Sequence, residues 1–200
     1  MWRQTTGVEL INLQTGVWGE VRVVHLSSSG LGEGEGVAVF VGKPHIEPAP
    51  LVRIHSRCLF GELFSSFHCD CGEQFSLAAT AIRDEGVGII IYLDQEGRSA
   101  GLLTKMKAYM LSETEGLDTV DAYHAMGLQA DGRSYRHAGH LLMNEGIRSI
   151  RLLTNNPEKI NQIIALGLSV ERVPLRADPR ASNARYMETK RRKLGHDIDQ

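Results

Sequence analysis

Residues 87–101 read VGIIIYLDQEGRSAG. The first seven positions form a continuous apolar run, and this predicts a strand over 87–93 that is buried on both faces. A polar loop, DQEGRSAG (94–101), follows and leads into a stretch that reads as helix over 101–112. Polar residues at the carboxyl end of a buried strand, just before a helix, are well placed to receive a phosphate. Upstream, Phe75, Leu77, Ala78, Ala81 and Ile82 recur at helical spacing and predict a helix over 73–85 that Gly86 ends.

Further along the chain, a helix is expected over 119–126, and another capped by Ser134 and running to about 145, where Gly146 stops it. A second buried strand covers 149–153. Asn156-Pro157 then gives an N-cap with proline at the first helical position, opening a helix to about 166 that Gly167 ends. A last helix spans 184–194 and carries Lys190, Arg191, Arg192 and Lys193. The first fifty residues read differently. Short apolar runs at 21–26 and 37–41 flank SSSGLGEGEG (27–36), a flexible hairpin or loop, and Pro44, Pro48 and Pro50 precede another short strand at 51–55. The pattern predicts an α/β fold with a mixed sheet, β-rich in the N-terminal part and alternating strands and helices in the C-terminal part. With no internal repeat and no low-complexity linker, one continuous domain over 1–200 is the simpler organisation.

Hydrophobic residues make up 42% of the chain and charged residues 23%, and the formal charge is −2. That balance argues against a general nucleic-acid binder while leaving room for a local cationic pocket. No apolar run reaches the roughly 18 residues that a membrane span needs, and MWRQTTGVEL (1–10) lacks a secretory signal pattern. A cytoplasmic protein is the expectation.

The chain has three cysteines, Cys58, Cys69 and Cys71. An odd number clustered this closely argues against a disulfide framework and for thiolates gathered around a metal. Three protein ligands leave a fourth position for water, as catalytic zinc requires. A closed structural site completed by His55 or His68 is the alternative, and inert thiols the plainest reading. Gly72 is expected to let the chain turn tightly beneath the metal.

Other motifs are individually weak. Arg98 can grip phosphate oxygens bidentately and Glu96 could hold a magnesium ion, although a lone EGR triplet is ordinarily a solvated loop. TNNPEK (154–159) is either a helix cap or a set of amides, with Thr154 and Lys159, presented to a ligand. Asp131-Gly132-Arg133 is either a loop salt bridge worth little or a general base beside a phosphate-binding arginine. Tyr109 shares a helix with Leu102, Leu103 and Met106, so it is either a core residue or a stacking platform.

Taken together, VRIHSRCLFGELF (52–64), HCDCGEQ (68–74), YLDQEGRSAGLLTKMKAY (92–109), LDTVDAYHAMGLQADGR (117–133), IRLLTNNPEKI (150–160) and ARYMETKRRKLGH (184–196) resemble GTP cyclohydrolase II in order and spacing. The resemblance implies that Cys58, Cys69 and Cys71 bind one zinc per chain and that the metal's water attacks C8 of the guanine of GTP. Formate and pyrophosphate leave, giving 2,5-diamino-6-(5-phosphoribosylamino)pyrimidin-4-one, the first step of riboflavin biosynthesis. It makes Asp131 the proton acceptor, sets Tyr109 beside zinc and purine, and assigns Arg133 as nucleophile towards the α-phosphorus. A guanidinium with a pKa above about 12 fits an electrostatic role better than a nucleophilic one. The implied nucleotide contacts are Arg53, Ile54, His55, Ser56 and Arg57, then Gln74, Glu96, Gly97, Arg98, Thr119, Thr154 and Lys159. Magnesium accompanying the triphosphate and a homodimer are also implied, with no nucleic-acid or membrane partner.

Some positions depart from the family pattern. Arg57 stands where glutamate is usual, Phe60 replaces a small hydroxyl residue, Asp94 stands where arginine is common, and Ser99-Ala100 replaces a Gly-Ile or Asn-Ile pair. A reversed charge beside the metal could change which base or phosphate is accepted. The alternatives are therefore a paralogue that takes another purine nucleotide or opens the ring without releasing pyrophosphate, and a non-catalytic nucleotide- or nucleic-acid-binding zinc module using KRRK (190–193) as a contact patch. A zinc deaminase would need H-x-E and P-C-x-x-C, and neither is present.

Overall fold

A computed structural model describes residues 10–27, 35–177 and 183–197. Among them, seven strands form one sheet: β1 (Leu10–Thr15), β2 (Gly19–Leu26), β3 (Gly36–Val41), β4 (Leu51–Ser56), β5 (Gly88–Leu93), β6 (Ser149–Leu153) and β7 (Ser169–Val173). Their order is β1-β2-β3-β5-β4-β6-β7. The helices are α1 (Leu59–Glu62), α2 (Cys71–Glu85), α3 (Leu102–Glu115), α4 (Thr119–Ala125), α5 (Arg136–Asn144), α6 (Pro157–Ala165) and α7 (Ala184–Leu194). The mixed α/β architecture is the expected one.

β5 is the seam of the sheet. It pairs antiparallel with β3, with Val39 opposite Ile90, and parallel with β4, with Ile54 opposite Ile91. Everything on the β3 side is antiparallel; β4, β6 and β7 continue in parallel. The apolar run 87–93 follows from this position, because both faces of β5 are covered. Ile89, Ile91 and Leu93 join Ala138 and Leu142 of α5 and Ile163 of α6 in one cluster. Ile90 points the other way, into a cluster with Ala78 and Ile82 of α2. The period-two alternation of strand side chains thus splits one apolar stretch between two cores.

Differences from expectation have local causes. The edge strands β1 and β7 and the short α1 were not anticipated. β1 leaves Leu10, Ile11 and Leu13 about half exposed, so it carries no buried face to give a period. Ser134 is not the N-cap of its helix: Tyr135 precedes α5 without a side-chain cap, and Ser134 Oγ accepts only from Arg136 N at 3.4 Å. α3 runs on to Glu115, where Gly116 (φ 69°) stops it. Asn156 does cap α6, accepting from Glu158 N at 3.0 Å. The connection expected over 27–36 lies, for 28–34, outside the described residues, as do residues 1–9 of the leader reading. β2 and β3 pair antiparallel with Leu26 opposite Gly36. No helix among the described residues is long and apolar enough to cross a membrane.

Parallel strands end together, so the segments following β4, β5 and β6 meet at one rim. These are Arg57-Cys58, the 94–101 loop and Thr154-Asn155-Asn156. Ligands of such sheets bind there. Ile91 is fully buried at the seam beneath that rim. Ile91→Ala is expected to destabilise the chain by about 2 to 5 kcal/mol, read as a lower urea midpoint at unchanged slope.

Candidate active site and metal centre

A cavity of about 970 Å³, open mouth included, sits at this rim. Of the site residues singled out from sequence, all line it except Ile54 and Asp131. Ile54 buries its side chain in the core, while its carbonyl accepts a hydrogen bond from Lys159 Nζ at 2.7 Å. Asp131 stands behind Arg133 and accepts from its backbone N (3.1 Å), Nε (2.9 Å) and Nη2 (2.5 Å).

The three cysteines converge. Their sulfurs lie within 4.8 Å of one another, and no other histidine, cysteine or carboxylate joins the group among the described residues. Two glycines make the convergence possible. A Cβ on Gly61 would stand 2.9 Å from Cys69 Sγ and 3.2 Å from Cys58 Sγ, and one on Gly72 would stand 2.2 Å from the Gly61 carbonyl oxygen. Gly72 therefore serves close approach of α2 to α1. It lies in α2 without a positive φ, so the tight turn expected there is not its role.

Neither candidate histidine completes the set. His55 is buried with both ring nitrogens engaged: Nδ1 faces Arg53 Nη2 at 3.2 Å, and Nε2 faces Glu62 Oε1 at 3.1 Å. The arginine can only donate, so the network assigns the ring proton to Nε2. Burial, then the Arg53 charge, keeps this imidazole neutral by lowering its pKa, with Glu62 acting in the opposite direction. His68 lies against the Tyr109 ring, 5.3 Å between centroids.

Hydrogen bonds from Cys69 and Cys71, with the ammonium of Lys105, hold the Cys58 thiol far below its ordinary pKa, while the bond to Cys58 pushes Cys69 up. Thiols this close ionise together only around a cation. An all-sulfur donor set with three members suits zinc.

Lys105 was not expected in the site. Its Nζ donates to Cys58 Sγ at 3.0 Å and to Glu96 Oε1 at 2.8 Å. Burial works against its charge, but Cys58 and Glu96 outweigh it and raise the pKa. Its place four residues before Tyr109, on the same helix face, was the available signal. The face of α3 that looks inward is the polar one, since Lys105 and Ala108 are its buried residues while Leu103, Met106 and Met110 are exposed. Tyr109 thus belongs to the cavity wall. Glu96 is fully engaged: Oε1 also accepts from Gly97 N at 3.0 Å, and Oε2 from Leu59 N at 2.7 Å. It anchors the residue that follows Cys58.

Further cations, Arg53, Arg133, Lys159 and Lys190, line the cavity, and all but Arg133 are at most 8% exposed. Burial lowers the pKa of Arg53 to about 10. Burial, then Arg53 and Arg133, lowers Lys159 far below the usual lysine value. His196 reports the same potential: burial, then Lys190, Arg133 and Lys159, drives it to about 3. Such a surplus favours an anion. Burial opposes both charges of the Asp131–Arg133 pair, yet their contact keeps the carboxyl low and the guanidinium high. Arg98 donates to Ala130 O (3.0 Å) and Thr119 Oγ1 (3.2 Å), so it braces the 131–133 loop.

Each cation of the KRRK stretch has an acidic partner within the chain. Lys190 is buried on Asp70, Lys193 pairs with Asp118 and Asp121, and Arg191 and Arg192 pair with Glu188.

The protein-family model described as GTP cyclohydrolase II matches residues 7–174. This chain belongs to the GTP cyclohydrolase II family. It is 48% identical over 163 residues to the protein named GTP cyclohydrolase-2 of Neisseria gonorrhoeae, covering 81% of this chain and 82% of that one. It is 47% identical over 164 residues to the riboflavin biosynthesis protein RibBA of Bacillus subtilis, covering 81% of this chain and 41% of the relative. The RibBA of Chlorobium phaeovibrioides is 48% identical over 149 residues, 74% of this chain and 36% of that protein. The chain thus spans less than half the length of the RibBA relatives.

Two positions singled out from sequence lie together: Arg57 Nη1 stands 3.2 Å from Asp94 Oδ1, so their opposite charges face one another.

Two outcomes are expected. Gly61→Ala should weaken zinc binding at least about tenfold, measured by chelator competition, with the circular dichroism spectrum preserved. Arg57→Glu alone sets like charges together and should lower turnover a few-fold, whereas adding Asp94→Arg should restore it, the pair being exposed and worth about 1 kcal/mol or less.

Proposed function

We propose that this chain is a zinc-dependent GTP cyclohydrolase II, which hydrolyses the imidazole ring of GTP with release of C8 as formate and of pyrophosphate. The product would be 2,5-diamino-6-(5-phosphoribosylamino)pyrimidin-4-one, at the entry to riboflavin synthesis. The observation that carries the reading is the three-sulfur cluster, with no fourth protein ligand among the described residues, in a cavity that Arg53, Arg133, Lys159 and Lys190 also line.

Cys58, Cys69 and Cys71 hold the metal, and zinc bound there supplies a Lewis acid that lowers the pKa of water towards about 7. The chain's own residues do the rest. Burial raises the pKa of Tyr109, so its hydroxyl keeps its proton and donates to a reacting group at the purine. Asp131, held as a carboxylate by Arg133, accepts a proton. Arg133 stays charged and stabilises negative charge on the departing phosphoryl group, a role that needs no deprotonation. Lys159 and Arg53 face the phosphates, and an incoming anion restores favourable charge to both. Gln74, Ser56 and Thr154 supply neutral polar contacts. Magnesium enters with the triphosphate. A cytoplasmic homodimer of single-domain subunits completes the reading.

Mass spectrometry after incubation with GTP, zinc and magnesium should show equimolar formate and a pyrimidine lacking two phosphates. Cys69→Ser should lose both bound zinc and formate release, by more than the roughly 100-fold that losing an outer-sphere partner costs. Formate produced by a metal-free preparation would overturn the proposal.

A further inference from the structure

Lys190 lies 120 positions from Asp70, yet its Nζ stands 2.5 Å from Asp70 Oδ1. Asp70 is only 1% exposed, and it is the residue between Cys69 and Cys71. Its other oxygen accepts from Gln74 Nε2 at 2.5 Å, so the carboxylate is held by α7 on one side and by α2 on the other. A side chain gripped at both oxygens fixes the backbone that bears it, and that backbone presents two of the three sulfurs. Other anchors of the C-terminal segment, among them Arg185 donating to Gly116 O, lie elsewhere. Lys193 pairs with Asp118 (2.7 Å) and Asp121 (2.6 Å), and Asp197 pairs with Arg172 and donates its N–H to Asn155 O at 3.0 Å. Of these anchors only Lys190 reaches the cysteine turn. The same helix and its end supply Tyr186, Leu194 and His196 to the cavity wall.

We propose that Lys190 is a positioning residue that couples the docking of α7 over the cavity to the geometry of the cysteine turn. Metal on the three sulfurs secures Asp70, which secures the helix, and the docked helix tightens the metal in return. Such coupling is reciprocal by necessity. The inference rests on the zinc reading of the site but reaches beyond it, because it makes the nucleotide-facing wall responsive to the metal.

Hydrogen exchange of the full chain with and without zinc, together with zinc affinity by chelator competition, tests it in wild type, Lys190→Met, Lys190→Arg and Asp70→Asn/Lys190→Met. Zinc should slow exchange of the amides of 184–194 at least about fivefold in wild type and less than about twofold in Lys190→Met. Zinc affinity should fall by about 10- to 100-fold in Lys190→Met. Lys190→Arg, which keeps the charge, should recover most of that loss, a rescue that a mere packing role would not give. If Lys190→Met does not fold, the double variant, which buries no lone charge, carries the same expectations. Wild-type affinity in Lys190→Met and in the double variant, or equal zinc protection of α7 with and without Lys190, would overturn the coupling. A wild-type chain that takes up no zinc would sink the zinc reading and this one together; one that binds zinc while α7 ignores it would sink this one alone.

Discussion

Three cysteine sulfurs sharing one small volume repel one another once ionised, and that constraint organises everything around them. The chain meets it from several directions. Gly61 and Gly72 give up their side chains so that α1 and α2 can close to the required distance. Lys105 brings a buried ammonium to Cys58, and Glu96 holds that ammonium while also fixing the first peptide after the cysteine. These partners bring only part of the charge that three thiolates demand. A metal ion would supply the rest, and the donor set is one that zinc accepts.

The sheet explains why the cysteine cluster and several cations share one cavity. Parallel strands β4, β5 and β6 deliver their carboxyl ends to a common rim, so thiolates from the β4 side and cations from β4, α6 and α7 share it without touching. Arg53 and His55 alternate with Ile54 on β4, which places two polar side chains towards the site and one apolar chain into the core. Arg53 Nη2 also donates to Gln74 at 2.9 Å, and Gln74 bonds to Asp70. Arg53 is thereby joined to the cysteine turn by buried hydrogen bonds through a neutral amide, while Lys190 reaches the same carboxylate directly.

Much of this was legible in the sequence, and for identifiable reasons. The buried strands at 87–93 and 149–153 announce themselves because both of their faces are covered, and Asn156-Pro157 announces α6 because capping chemistry is local. The cysteines stood out by rarity. What escaped was whatever depends on distant partners. Glu62, which accepts from His55, Cys58 N and Tyr92, looks like any helix-terminal acid. Lys105 and Lys190 look like solvated lysines until the fold buries them. Arg57 and Asp94 are 37 positions apart, so nothing local in the sequence shows that they pair. β1 was missed because its side chains stay exposed, leaving nothing for a hydrophobic period to record.

The distance along the chain between Asp70 and Lys190 has a consequence for biosynthesis. All three cysteines lie within the first 71 residues, while the lysine that seals their turn comes 120 positions after Asp70. At about 5 to 20 residues per second, a ribosome needs roughly 6 to 24 seconds to add that stretch. For that interval the nascent thiols lack the C-terminal wall, open to metal delivery and to oxidants alike, so the window in which this centre is filled or spoiled opens before the last helix has been made.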